Sequence, residues 1–326
     1  MLVRVLQNFR CLLCVLFIAL PLAGAHAQAW PSRPIRLVVP YGSGGPTDVL
    51  ARALAQGLQE QLKQAVIVDN KPGAGGIIGV ENVAKSPADG YTLLFTASGT
   101  MVINPSLYPK LPYQAKDFAP VSSAASYAMF LSVNPGLSFS TLGDLIAYAK
   151  RHPGKLSYGS AGNGTSNHLA GALLAKMAGI ELTHVPYKGN APAMTDVIAG
   201  NIAMMFDLPS TTLPQAQSGK VALLGTTGRE RSELAPQVPT IVESGVPGYD
   251  VTSWFGVFAP AKTPPAIVNR LSELITQVLK DPAISARLSG QGYKVFGSTP
   301  AQLADMTAAD TRMWSGLIRE AHIQVD

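Results

Sequence analysis

Strand and helix signals alternate along most of the chain, and this alternation constrains the fold more than any other feature. Residues 35–39 (IRLVV) read as a buried strand that stops at Pro40. Leu50, Leu54, Leu58 and Leu62 recur every four residues and mark an amphipathic helix over about 47–63. A short strand at 65–68, a turn at 72–76 leading into a second helix, and a strand at 91–96 complete a β-α-β-α-β unit. Such a rhythm predicts a mostly parallel sheet covered by helices.

The rhythm restarts near residue 130. A strand at 130–133 precedes a helix capped by Ser140 or Thr141 and stopped by Pro153-Gly154. Next come a strand at 156–160 and a helix at 166–178 closed by Gly179. Strands follow at 183–185, 203–207 and 221–226, then strand signal at 251–259 and helices near 265–280 and 300–321. No low-complexity linker separates the two units. Strand-like segments at 120–130 and 249–259 join them, which predicts an α/β fold of two hinged lobes. The first lobe takes 28–127 plus 252–326, and the second 128–251.

The first 27 residues indicate where the chain works. Arg4 and Arg10 precede an apolar run at 11–22, and Ala25-His26-Ala27 offers a small-x-small cleavage pattern. The run is shorter than the ~20 apolar residues of a membrane span. A cleaved signal peptide, a mature chain from Gln28 and a periplasmic address follow. Cys11 and Cys14 leave with the signal, so the mature chain carries no disulfide, thiolate nucleophile or cysteine metal site. Its 299 residues hold 23 Lys and Arg against 20 Asp and Glu, a net charge of +3. That balance argues against nucleic-acid partners or membrane docking.

Two loops share one pattern. Tyr41-Gly42-Ser43-Gly44-Gly45-Pro46-Thr47-Asp48 joins the first strand to its helix, and Ser160-Ala161-Gly162-Asn163-Gly164-Thr165-Ser166 does the same in the second unit. Glycine lets backbone N–H groups approach a ligand closely. A helix start adds unpaired donors and a positive dipole end, so each loop predicts an anion site made of backbone. One loop per lobe predicts a cleft that clamps an anion from both sides; tight turns without a ligand are the competing reading. Pro72-Gly73-Ala74-Gly75-Gly76-Ile77-Ile78-Gly79 departs from G-x-G-x-x-G at Ile78 and reads as a helix-entry turn rather than a cofactor loop. No cofactor and no metal are expected.

Catalytic patterns are missing: no G-x-S-x-G, no H-E-x-x-H, no supported S-x-x-K and no evident nucleophile–base pair. His152, His168, His184 and His322 remain after cleavage. His168 could face the cleft or pack. His184 reads as structural. Asp207 could orient a ligand hydroxyl or amine, or cap the next turn. Lys188 could meet a carboxylate or stay solvated. Thr96, Ser98 and Thr100 could add hydroxyl donors at the same sheet edge or cap a helix.

Together with these loops, the segments WPSRPI (30–35), NKPGAGG (70–76), PADGYTLL (87–94), NPSLY (104–108), HVPYKG (184–189), MFD (205–207), VPT (238–240) and SWFG (253–256) occur in order. The chain resembles the Bug-type extracytoplasmic receptors of tripartite tricarboxylate transporters over essentially its whole mature length. The resemblance implies a Venus-flytrap binding protein, not an enzyme. It would hold a small carboxylate through loop backbone and ordered waters, and act as a monomer with a membrane permease or a sensor kinase. It implies ligand contacts at Tyr41, Gly44, Gly45, Thr47 and Asp48, and at Ser160, Ala161, Gly162, Asn163, Gly164 and Thr165. Ser43 stands where the family often has proline, Pro46 where it has a small residue, and Ala222 where it has arginine. Leu208 replaces a frequent polar residue and implies a more apolar far pocket. An exported hydrolase and a regulatory effector domain are the competing classes. The first lacks a nucleophile–base pair, and the second lacks a DNA-binding segment.

Overall fold

The computed structural model describes residues 30–320; the signal segment and His322 lie outside them. Strand β1 (Ile35–Val39) is almost wholly buried and ends at Pro40. Helix α1 (Pro46–Leu62) starts with Pro46, whose fixed φ suits a first turn. It buries Leu50, Leu54 and Leu58 as their spacing predicts. Strand β2 (Val66–Asn70), a 3-10 turn at Ala74–Gly76, α2 (Ile77–Ala84) and the buried β3 (Thr92–Ala97) complete the first unit. Two one-turn helices follow, α3 (Gly99–Val102) and α4 (Asn104–Leu107).

Strand β4 (Phe118–Ala128) then carries the chain through Met129 into β5 (Phe130–Val133), the first strand of a separate sheet. That sheet adds α5 (Leu142–Arg151), β6 (Leu156–Ser160), α6 (Ser166–Ala178), β7 (Leu182–Pro186), α7 (Asn190–Ala199), β8 (Met204–Asp207), α8 (Pro209–Gln217) and β9 (Ala222–Thr226). Strand β10 (Thr252–Pro260) returns to the first sheet, followed by α9 (Pro265–Lys280), α10 (Pro282–Ser289), β11 (Lys294–Val295) and α11 (Pro300–Glu320).

The strand orders are β11-β4-β10-β3-β1-β2 and β7-β6-β8-β5-β9. Both sheets are mixed rather than mostly parallel. Strands linked by helices run parallel: β1 with β2 and β3, and β6 with β7 and β8. Strands that enter without a crossover helix run against their neighbours: β10 against β3 and β4, and β5 against β8 and β9. A parallel pair needs a long crossover, and the chain crosses between sheets with none. Both crossings are tied at one residue. The Thr227 hydroxyl accepts the Met129 N–H at 2.8 Å and donates to the Val251 carbonyl at 2.8 Å.

Of the two cap candidates, Thr141 caps α5. Its hydroxyl accepts the Asp144 N–H at 3.1 Å while Asp144 accepts the Thr141 N–H at 2.8 Å. Thr141→Ala is expected to cost about 1 kcal/mol, read as a lower urea midpoint with unchanged slope. An unchanged midpoint would mean that the cap contributes nothing. Helices α7, α8 and α10 and the α3–α4 pair are absent from the sequence pattern; Pro209 and the internal Pro214 hide α8.

Candidate functional site

The first glycine loop turns at Gly44, with φ +78°. Gly44 N–H donates to Asp48 Oδ2 at 2.9 Å, and Arg52 Nε donates to the same oxygen at 2.9 Å. Burial pushes the Asp48 carboxyl up, but the bonds from Arg52 and Gly44 outweigh it and hold it below the usual range. Asp48 therefore braces its own loop. The second loop is held in a similar way. Thr165 Oγ1 donates to the Gly162 carbonyl at 2.7 Å, and Gly164 N–H donates to His168 Nδ1 at 3.2 Å. His168 is buried and stacks on His184 with ring centroids 4.0 Å apart. Burial, then the neighbouring His184, lowers its pKa to about 3. It is a neutral acceptor that fixes Gly164.

The structure brings one such loop from each sheet into a single cavity of about 40 Å³, room for about three water-sized groups. Among the ligand contacts expected from sequence, Tyr41, Gly45, Thr47, Ala161 and Thr165 line it, and so do Gly42, Pro46 and Ser166 of the same loops and Leu208. Gly44, Asp48, Ser160, Gly162, Asn163, Gly164 and His168 lie behind or beside that lining. Ser98 is buried, its N–H given to the Trp254 carbonyl. Thr100 shares a 2.8 Å hydroxyl contact with Thr96, and Tyr41 reaches both hydroxyls. Lys188 is exposed.

Asp207 is fully buried beside the start of α8, with its carboxyl engaged by protein donors. Its Oδ1 accepts Leu208 N–H at 2.8 Å and the Asn190 amide, and its Oδ2 accepts the Thr211 hydroxyl at 2.6 Å. Burial lifts its pKa to about 6, against the lowering effect of these donors. Sequence reasoning missed Tyr127, Phe255, Asn167 and Asn190, which line the cavity. Tyr127 and Phe255 sit on the crossing strands and stack at 4.7 Å. Burial pushes the Tyr127 phenol up to about 12, so it stays protonated. Asn190 follows Gly189 at the start of a helix the pattern does not reveal.

The helix starts at this cavity share one property. Helices α1, α6 and α7 begin at Gly45, Thr165 and Gly189, none of which makes a side-chain cap bond. Elsewhere α5 and α10 are capped by Thr141 and Asp281, whereas α2 and α9 begin at Gly76 and Pro264 without a side-chain cap bond. First-turn N–H groups need an acceptor; the first turns of α1 and α6 line the cavity through Pro46, Thr47, Ser166 and Asn167, and no cap supplies one. No lining residue carries a charge. A larger open groove of about 640 Å³ beside residues 228–234 mixes Arg229 and Arg231 with Glu230 and Glu233. None of these three uncapped helices starts there.

One pairing was not expected. Ser160 Oγ lies 2.7 Å from His184 Nε2, a nucleophile–base distance. Ser160 is fully buried, and the Gly162 N–H that an oxyanion hole would use donates to Ser160 itself at 3.0 Å. The pair organises the loop.

The lobes meet beside the cavity. Tyr108 Oη donates to the Asn163 carbonyl at 3.2 Å. The turn at Gly75 lies so close that an added Cβ would sit 2.1 Å from the same oxygen. The 72–79 segment is the helix-entry turn predicted, and it also abuts the second glycine loop.

Two α/β lobes with glycine-entered helix starts facing a shared cavity define a solute-binding protein of the periplasmic binding type. The model for the tripartite tricarboxylate transporter family receptor (TctC) matches residues 50–323, and the chain belongs to that family. Protein BugT of Bordetella pertussis is 36% identical over 320 residues, covering 96% of this chain and 98% of BugT. The solved periplasmic binding protein BugD has a TM-score of 0.86 and 34% identity, over 90% of this chain and 99% of BugD. R. palustris Rpa4515, solved with adipate, has a TM-score of 0.87 and 36% identity, over 90% of this chain and 99% of that one. The chain is thus a Bug-type receptor, and no helix among its described residues is long and apolar enough to cross a membrane.

Proposed function

We propose that this protein captures a small carboxylate between the first turns of α1 and α6 and hands it to the membrane permease of a tripartite tricarboxylate-type transporter. The observation that carries this reading is the pair of glycine-entered helix starts, one per lobe, with no side-chain cap and one shared cavity. Backbone donors and two positive dipole ends suit an anion without a charged side chain. The adipate-bound relative supports a carboxylate cargo.

In this reading the chain is exported, cleaved after Ala27 and works in the periplasm as a monomer. The lobes, 28–127 with 252–326 and 128–251, close about the two crossings. Only a ligand that touches both lobes favours the closed state. The protein has no catalytic role, since the buried Ser160–His184 pair lies outside the cavity lining. A sensor kinase is the alternative partner.

A thermal-shift panel on protein unfolded and refolded to strip bound ligand tests the reading. A carboxylate at 100 times its Kd is expected to add about 2.7 kcal/mol, or about 5 °C. Silence to every carboxylate, a response to NAD alone, or ester turnover would each refute it.

A further inference from the structure

Tyr293, in the turn between α10 and β11, reaches elements of both sheets. It is buried, with its ring edge-on to the cavity-lining Phe255 at 5.9 Å. Its hydroxyl donates to the Pro46 carbonyl at 3.2 Å, across 247 residues of sequence. Pro46 is the first residue of α1 and itself lines the cavity. Burial pushes the Tyr293 phenol well up, so it stays a donor. The Ser210 hydroxyl, from the first turn of α8, lies beside the same phenol. Ser210 Oγ is buried and makes no hydrogen bond of its own. Gly292 permits the close approach: its φ is +88°, and an added Cβ would sit 2.4 Å from the ring of Pro209, the first residue of α8. Helix α1 follows β1 of the six-stranded sheet, and α8 follows β8 of the five-stranded one. One phenol therefore reaches the starts of two helices, one from each sheet.

We infer that Tyr293 is a positioning residue for cargo capture: its hydroxyl fixes the first turn of α1, and the idle Ser210 hydroxyl engages it when the two sheets close on a bound carboxylate. The inference rests on the receptor reading above and adds to it a residue outside the cavity lining. A phenol donates one hydrogen bond and accepts others, so Tyr293 Oη can hold Pro46 and take Ser210 at once. A buried polar group without a partner is costly, and a shift of the sheets that pairs Ser210 removes that cost. Only a difference between open and closed states links cargo to closure, and this bond is such a difference.

The test is calorimetry on the stripped, refolded exported protein with acetate, succinate, adipate and citrate, the tightest binder of the four being carried to the variants. Tyr293→Phe keeps the ring and removes only the hydroxyl. It is expected to bind about 10-fold more weakly, a gap of about 1.4 kcal/mol. Tyr249→Phe is the control. Tyr249 donates in the same way to the Ala170 carbonyl at 2.9 Å, in the second turn of α6 and outside the cavity lining, and its variant should bind within about twofold of the wild type. Ser210→Ala separates the closing bond from packing, because deleting a hydroxyl that never pairs does not weaken binding. Alone it should bind about threefold more weakly, and in the Tyr293→Phe background it should change nothing further. Tyr293→Phe at wild-type affinity, or an equal loss in Tyr249→Phe, overturns the positioning role and leaves the receptor reading standing. Ser210→Ala at wild-type affinity, or the same loss in both backgrounds, overturns the closing bond. If none of the four carboxylates binds the wild type, the receptor reading fails and the inference with it.

Discussion

Replacing Gly75 with alanine is expected to weaken carboxylate binding on the order of 100-fold, about 2.7 kcal/mol. The cause lies between the lobes. Gly75 has φ +60°, and a Cβ there would sit 2.1 Å from the Asn163 carbonyl oxygen and 3.3 Å from the Tyr108 hydroxyl. The first obstacle is backbone and cannot rotate away. The left-handed backbone itself costs a side chain only about 1–2 kcal/mol, so the fold should survive while the lobes are held apart. Gly154, with φ +69° and nothing within 4 Å, provides the control. Gly154→Ala carries the same backbone penalty and should bind as the wild type does. Calorimetry with small-angle scattering separates the outcomes. A Gly75→Ala protein that binds within threefold of the wild type and compacts with ligand would refute closure at this contact.

The second expected result concerns acid. Two buried groups titrate in opposite senses. His168 has its pKa lowered to about 3, so the unfolded chain takes up a proton below about pH 6.5 that the folded chain refuses. Its contribution is complete above pH 6.5 and is lost on acidification, by about 1.4 kcal/mol per pH unit. Asp207 has its pKa raised to about 6. The folded chain holds that proton above about pH 3.9, where the unfolded chain releases it, so this contribution is present in acid and is lost as pH rises through 6. Between about pH 4 and 6 the two slopes oppose each other in the wild type. Asp207→Asn removes one of them. Relative to the wild type, that variant should lose about 2 kcal/mol between pH 6 and pH 4. Urea unfolding at pH 4, 5, 6 and 7 reads the difference directly. Carboxylates held below their usual range, such as Asp48 and Asp144, are common to both proteins and cancel. Parallel curves for the two proteins would show that Asp207 is not destabilised by its burial.

Asp207 reads equally well in the sequence as a ligand group or as a turn cap. The structure engages it within the protein, where it accepts from the cavity-lining Asn190 and Leu208 and from Thr211. His168 likewise works through Gly164 rather than on a ligand.

Much of the local structure is set by the chain alone. The leucine spacing of α1, the Thr141 cap, the Gly179 stop and the glycine entries to α1 and α6 are nearest-neighbour effects, decided by backbone sterics and by periodicity. These are enough to predict two α/β units and, in each, a glycine-entered helix start suited to an anion. Contacts between residues far apart in sequence are decided only when the sheets assemble. Strand direction in the mixed sheets depends on where β5 and β10 enter. The tie at Thr227 needs Met129 and Val251 brought together. The Tyr127–Phe255 wall comes from crossing strands more than a hundred residues apart, and the engaged state of Asp207 depends on Asn190 and Thr211 from two different helices. Local sequence determines which backbone donors exist. Tertiary packing determines which of them remain for a ligand, because a buried donor goes to whichever acceptor the fold places beside it.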